Sequence, residues 1–174
     1  MKIAIIGSGA MGSLYGGRLA ISGNEVVLYD INREHVEKVN RDGLWIEELE
    51  AGKRSVAKPC ATTNPLDVKD SGILIIFVKS TATKVVAQEF KSWASKDAIV
   101  VTFQNGVGNE AILKKQFGAE RTAAGVTSQG ATFLGPGIIR HAGKGPTYLC
   151  MSDKKNEKLD AFVQALNNAG FETH

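Results

Sequence analysis

The first 30 residues, MKIAIIGSGAMGSLYGGRLAISGNEVVLYD, restrict the fold more than any other stretch of the chain. The apolar run KIAII at 2–6 is short, rich in β-branched residues and reads as a buried strand. It passes directly into Gly7-Ser8-Gly9-Ala10-Met11-Gly12. A helical pattern follows through Met11, Leu14, Tyr15, Leu19 and Ile21, and Gly23 supplies a stop. EVVLYD is then a second strand, ending in Asp30. Strand, glycine turn, helix and strand in this order form a βαβ unit, and its two strands run parallel.

The alternation continues. Arg33 to Asn40 reads as a helix with Asn32 as its N-cap. LWIEEL and SVAKPC read as two short strands around EAGK, a hairpin-like excursion. A helical turn at Pro65 to Val68 precedes GILIIFVK, a strongly apolar strand. Thr81 to Trp93 is a helix that Ser80 or Thr81 is placed to cap. DAIVVTF is the next strand, Asn109 to Phe117 a short helix, and Thr122 to Val126 another strand. GATFLGPGIIRHAGKGPTYLC then reads as short strands and glycine turns, expected antiparallel at one edge. Asp153 is expected to cap a last helix, about Glu157 to Ala169. The prediction is one α/β domain over residues 1–174: a Rossmann-like, doubly wound, mostly parallel sheet with a few antiparallel edge strands.

Composition narrows the function classes. Hydrophobic residues make up 43% and charged residues 22%, which supports a packed core and argues against disorder. The net charge is +3, but basic residues alternate with acids, as in KKNEK and REHVEK, so no nucleic-acid patch is expected. The apolar run near GILIIFV is far too short to span a bilayer. Cys60 and Cys150 lack metal-ligand spacing, no metal cluster is found, and no cleavable leader is apparent. The cysteines are expected as free thiols in a reducing cytoplasm.

In a parallel sheet ligands sit at the carboxyl ends of the strands, so residues directly after a strand are the site candidates. Gly7 permits the tight turn, Gly9 close approach of a pyrophosphate, and Gly12 close packing of helix on strand. The backbone of Ser8, Ala10 and Met11 completes this loop, and the helix N-terminus favours phosphate. A glycine turn without a ligand is the bland alternative. Asp30 suits the ribose hydroxyls of NAD and repels the 2′-phosphate of NADP. Arg33 suits that 2′-phosphate, and Asn32 suits either, so Asp30 favours NAD while NADP stays open.

Lys79 closes the apolar strand, where it meets an anionic substrate or the cofactor, or else snorkels at a strand end. Asn105, in FQNGVGNE, offers a donor and an acceptor over the same crevice. Glu110 reads as a first-turn helix acid. His141 reads as structural or solvated, His35 lies on a helix face, and His174 ends the chain. With no Ser-His-Asp set or paired carboxylate, the chemistry falls to a cofactor, as hydride transfer.

KIAIIGSGAMGSLYGGRLA, FVKS, FQNGVGNE and GVTSQGATFLGPGIIRHAGKG, in this order, resemble the ketopantoate reductase (2-dehydropantoate 2-reductase) family. The resemblance implies reduction of the 2-oxo acid 2-dehydropantoate to pantoate by NAD(P)H, a step toward pantothenate and coenzyme A. It implies that residues 7–12 bind the pyrophosphate, that Lys79 and Asn105 contact cofactor and substrate near the nicotinamide, and that Ala131 is a further cofactor contact. Two departures stand out. Asp30-Ile31 occupies the place where NADP-using members often carry arginine. The family's helical substrate domain, with its proton-donating lysine, has no counterpart up to His174. No catalytic residue is therefore expected in this chain, which reads as the cofactor-binding domain alone. An isolated domain exposes apolar surface that can drive homo-oligomer formation. A dinucleotide-sensing module and a related hydroxy-acid dehydrogenase domain are the other readings.

Overall fold

The computed structural model describes residues 1–151 and 156–174. Lys2–Ile6 is β1, Ala10–Ile21 is α1, and Glu25–Tyr29 is β2. Arg33–Asp42 forms α2, and Asn32 caps it by accepting the His35 N–H at 3.2 Å. Leu44–Glu47 (β3) and Arg54–Ala57 (β4) form the expected antiparallel hairpin, and Cys60–Thr62 is β5. After a 3-10 turn at Pro65–Val68 come β6 (Ile73–Ile76) and α3 (Thr83–Phe90). Ile99–Thr102 (β7), Asn109–Phe117 (α4) and Thr122–Thr127 (β8) follow. Gly130–Gly135 (β9), Ile138–Gly143 (β10), Thr147–Met151 (β11) and Glu157–Asn168 (α5) complete the chain.

The main sheet has the order β11-β8-β7-β6-β1-β2-β5. Six of its strands are parallel, and β11 alone runs antiparallel, on β8. The chain winds outward from β1 through β2 to β5, then crosses back to β6 and winds the other way. The switch in direction lies between β1 and β6, where ligands bind in doubly wound sheets. The all-apolar strands follow from burial on both faces: every residue of β6 and β7 is buried. Ile3, Ile5, Ile73, Ile75 and Val101 pack on one face with Leu14, Tyr15 and Phe162. Ala4, Ile6, Leu74, Ile76 and Val100 pack on the other with Phe90, Leu113 and Phe117.

The glycine-rich segment after β8 differs from expectation. Only β11 joins the main sheet's edge. β9 and β10 pair antiparallel with each other and enter a second sheet of order β4-β3-β10-β9, in which β10 runs parallel to β3. This sheet covers α1, so Leu44, Ile46 and Ile139 extend the same core that α1 shares with the main sheet.

Two capping expectations are also revised. The capping oxygen of α5 belongs to Asn156, which accepts from the Lys158 and Leu159 N–H groups at 3.0 and 3.2 Å; Asp153 lies outside the described residues. Ser80 and Thr81 fall in a 3-10 turn before α3, and α3 starts without a side-chain cap. Among the described residues no helix is long and apolar enough to cross a membrane.

Candidate functional site

The loop after β1 turns at Gly7, whose φ of +95° favours glycine. A Cβ on Gly12 would lie 2.0 Å from the Gly7 carbonyl oxygen, so only glycine lets α1 start this close to the turn. Gly9 is different: it is exposed, and a Cβ there would meet nothing within 4 Å. Its lack of a side chain is not needed by the fold and leaves open the approach to the backbone. Helix α1, with Gly9 as its N-cap residue, has no side-chain cap and no acid in its first turn. Its first N–H groups therefore lack intrahelical partners and face outward with the positive end of the helix dipole, a fit for a pyrophosphate.

Asp30 follows β2 and reaches back to this loop. Its Oδ2 accepts the Ser8 N–H at 2.7 Å and the Ser8 hydroxyl at 3.2 Å, while Oδ1 accepts the Asn32 N–H at 2.9 Å. The carboxylate is half-buried beside the glycine turn. Asn32 spends its side-chain oxygen on the cap of α2, and Arg33 is exposed in the first turn of that helix.

At the ends of β6 and β7 lies a crevice of about 500 Å³. It is bounded by Met11, by Phe77 to Thr81, by Phe103 to Asn105, and by Thr127 and Gln129. The structure thus brings Met11 of the glycine loop, Lys79 and Asn105 to one space. Lys79 is the one ionisable group among these lining residues, so the crevice is cationic. Phe77 and Phe103 floor it and pack on the buried Tyr15 ring at centroid distances of 5.1 and 5.3 Å.

The loop FQNGVGNE divides its labour in a way that residue types alone do not disclose. Gln104 turns inward: its amide oxygen accepts from the Thr102 hydroxyl at 3.0 Å. Its amide nitrogen donates to the Val78 carbonyl and, at 2.9 Å, to the Thr83 hydroxyl. It thereby ties the β7 loop to the β6 loop that carries Lys79. Buried Asn109 accepts from Thr83 at 3.0 Å and donates to the Asn105 carbonyl at 3.1 Å. The Asn105 side chain is left exposed at the crevice. Glu110 pairs with Lys114 at 2.6 Å, as a first-turn acid does. Ala131 lies on β9, half-buried against the core, outside the crevice lining; Gln129, two residues earlier, is the one that reaches it.

Two histidines discounted as chemistry prove to be buried and hydrogen-bonded. His141 is 6% exposed, so it is structural and not solvated. Its Nε2 lies 3.0 Å from Gln129 Oε1, and burial, then the Arg18 guanidinium, hold its imidazole below the ordinary 6.5. His35 is 1% exposed and burial likewise lowers its pKa, with the Asp30 charge opposing. A helix as polar as α2 gives no sign that this position is covered, because the cover comes from the β9–β10 hairpin. Among the described residues no cluster of three metal-ligating side chains occurs.

The sequence and the fold have known counterparts. The sequence pattern of the family described as ketopantoate reductase PanE/ApbA matches residues 3–154. The chain belongs to that family. It is 33% identical over 174 residues to a 2-dehydropantoate 2-reductase of Halobacterium salinarum, covering 99% of this chain and 57% of that protein. A 2-dehydropantoate 2-reductase of Pyrococcus horikoshii is 36% identical, with coverages of 99% and 55%. Among solved structures, D-mandelate dehydrogenase in a ternary structure with NADH and anilino(oxo)acetate superposes with a TM-score of 0.88 at 34% identity, over 100% of this chain and 56% of that one. The 2-dehydropantoate 2-reductase of Geobacter metallireducens superposes with a TM-score of 0.90 at 25% identity, with coverages of 100% and 57%. The chain thus spans a little over half the length of the relatives it matches.

Proposed function

We propose that these 174 residues are the nicotinamide dinucleotide-binding part of a 2-dehydropantoate 2-reductase-like enzyme. The observation that carries this reading is the convergence of an uncapped α1 N-terminus, Asp30, Lys79 and Asn105 at the carboxyl ends of β1, β2, β6 and β7. The α1 N–H groups hold the pyrophosphate, with Gly9 leaving it room. Asp30 accepts from the adenosine ribose hydroxyls, which favours NAD, because a 2′-phosphate placed there would meet a carboxylate. Lys79 and Asn105 orient the nicotinamide end and the anionic 2-oxo acid, and Phe77 and Phe103 keep water from the crevice floor. When bound, the reduced nicotinamide supplies a hydride to the ketone carbon.

The one proton-bearing cation of the lining, Lys79, is taken up in orienting the nicotinamide end and the 2-oxo acid, and no carboxylic acid or histidine stands beside it to protonate the product alkoxide. The lysine that the resemblance assigns to this step has no counterpart among the 174 residues. General acid catalysis contributes about 10²–10⁴-fold, so the chain by itself binds the cofactor without appreciable turnover. Its exposed thiols, Cys60 and Cys150, fit a reducing cytoplasm. A second reading, a hydroxy-acid dehydrogenase of the same family, is favoured by the 34% identity to the D-mandelate enzyme. Titration with NADH and NADPH, read by nicotinamide fluorescence, tests the assignment. NADH binding at least about tenfold tighter, or 1.4 kcal/mol, is expected; no binding of either sinks the reading.

A further inference from the structure

A buried chain of hydrogen bonds runs from the second sheet to the glycine loop, and its direction is fixed at every link. The Gly137 N–H, in the β9–β10 turn, points at His35 Nδ1 at 3.0 Å. Backbone nitrogen is only a donor, so Nδ1 is the unprotonated acceptor and Nε2 carries the ring proton. Nε2 faces the Ser13 hydroxyl at 3.3 Å. Ser13 donates in turn to the Ser8 carbonyl at 2.6 Å. Ser8 is the residue whose N–H and hydroxyl are held by Asp30. Ser8, Ser13 and His35 are each at most 1% exposed, so water replaces none of these partners.

We propose that His35 is a positioning residue for dinucleotide binding: through Ser13 it holds the Ser8 carbonyl, and so sets the glycine loop that receives the pyrophosphate. The inference rests on the functional reading above, and it assigns the second sheet a task in the site. It also has a built-in signature. A doubly protonated imidazole turns Nδ1 into a donor facing the Gly137 N–H, two donors 3.0 Å apart with nothing between them. Protonation therefore breaks the anchor at the sheet end and loosens the loop. Of the groups facing His35, Ser13 on α1 and Phe133 on β9 are neutral, Gly137 offers only its backbone, and Asp30 after β2 carries the charge. On its own helix, Lys38 packs its methylenes against Gly137 and pairs with Asp42 at 2.7 Å. Burial favours the neutral ring, so the transition falls on the acid side of 6.5.

The test is the affinity of the folded chain for NAD+, which survives acid, between about pH 7.5 and pH 5, the span of imidazole titration. Wild-type affinity is expected to fall at least fivefold toward pH 5. His35→Gln keeps a donor for Ser13 and does not titrate. It is expected to bind within about twofold of wild type at neutral pH and to stay level down to pH 5. Ser13→Ala and His35→Asn cut the link to Ser8 and are expected to bind weakly at every pH. A ligand-free readout stands beside these: the Ser8 and Gly9 amide resonances should titrate together with the His35 ring in wild type and not in His35→Gln. A level wild-type profile, a wild-type slope in His35→Gln, or full affinity in Ser13→Ala overturns the proposal. If NAD+ does not bind at any pH, the functional reading fails, and the amide titration still decides whether His35 governs the loop. If a variant does not fold, the wild-type pH profile and the amide titration decide alone.

Discussion

Gly9 and Gly12 belong to the same motif, yet the structure predicts opposite responses to alanine. At Gly9, φ is −63°, outside the left-handed region that favours glycine, and a new Cβ meets nothing within 4 Å. Restricting the unfolded chain stabilises by about 0.4–1 kcal/mol. Alanine is a poorer N-cap than glycine by several tenths of a kcal/mol, roughly offsetting this gain. Gly9→Ala is therefore expected within about 0.5 kcal/mol of wild type, a midpoint shift under about 2 °C for a domain of this size. Gly12→Ala puts a methyl group 2.0 Å from the Gly7 oxygen, so α1 or the turn must move. Such overpacking costs about 1–3 kcal/mol, lowering the midpoint by about 2–12 °C. The order reverses the usual expectation for affinity: the stable Gly9→Ala should lose at least about tenfold in NADH binding, because its methyl group would stand where the proposed function puts the pyrophosphate. Thermal unfolding without ligand and calorimetric titration with NADH measure the two quantities. A folded Gly9→Ala that binds NADH like wild type would refute the placement of the pyrophosphate. A Gly9→Ala as unstable as Gly12→Ala would refute the reading of open space.

Lys79→Ala and Asn105→Ala remove exposed side chains and should leave the unfolding midpoint unchanged while weakening NADH binding. The lysine should matter more, since hydrogen bonds to charged groups contribute about 1.5–3 kcal/mol; unchanged affinity in both variants would reduce them to surface residues. Gln104→Leu strips the Val78 and Thr83 carbonyl and hydroxyl of their shared donor, so it should both destabilise the fold and weaken binding, unlike Asn105→Ala. Stability should fall as pH drops below about 6.5, because His35 and His141 are held neutral in the fold but protonate freely in the unfolded chain. The unfolded state then binds more protons, and replacing both histidines with glutamine should flatten the midpoint between about pH 7 and 5; an unchanged slope would assign it to other groups. The 174-residue chain mixed with NADH and 2-dehydropantoate should show no appreciable oxidation of NADH; turnover near that of a full-length relative would place a proton donor within it.

The elements legible in the chain are those whose cause is local. KIAII, GILIIFV and DAIVVT announce strands buried on both faces, and the glycines between β1 and α1 announce a turn with a helix close behind. Asn109–Phe117 and the β3–β4 hairpin were legible for the same reason: spacing, glycine and asparagine act within a few residues. So was the position of Lys79 and Asn105, because a residue directly after a parallel strand stands at the ligand-bearing end whatever the rest of the sheet does.

Pairing between distant segments is another matter. An alternating strand such as IIRHAG fits either the edge of the main sheet or a separate one, and only the packing of α1 between two sheets placed β10 beside β3, 93 residues away at Arg140 and Glu47. The same non-local event buried His35. Its helix is polar and looks solvated by its own composition, and the N–H that sets its tautomer comes from Gly137, 102 residues on. Gln104 is a third case, since the carbonyl it satisfies lies 26 residues earlier at the end of another strand. Local chemistry decides which segments are strands, helices and turns, because a backbone conformation depends on its nearest neighbours. Which buried polar groups face one another depends on how those segments stack, and that arrangement exists only once the core has closed.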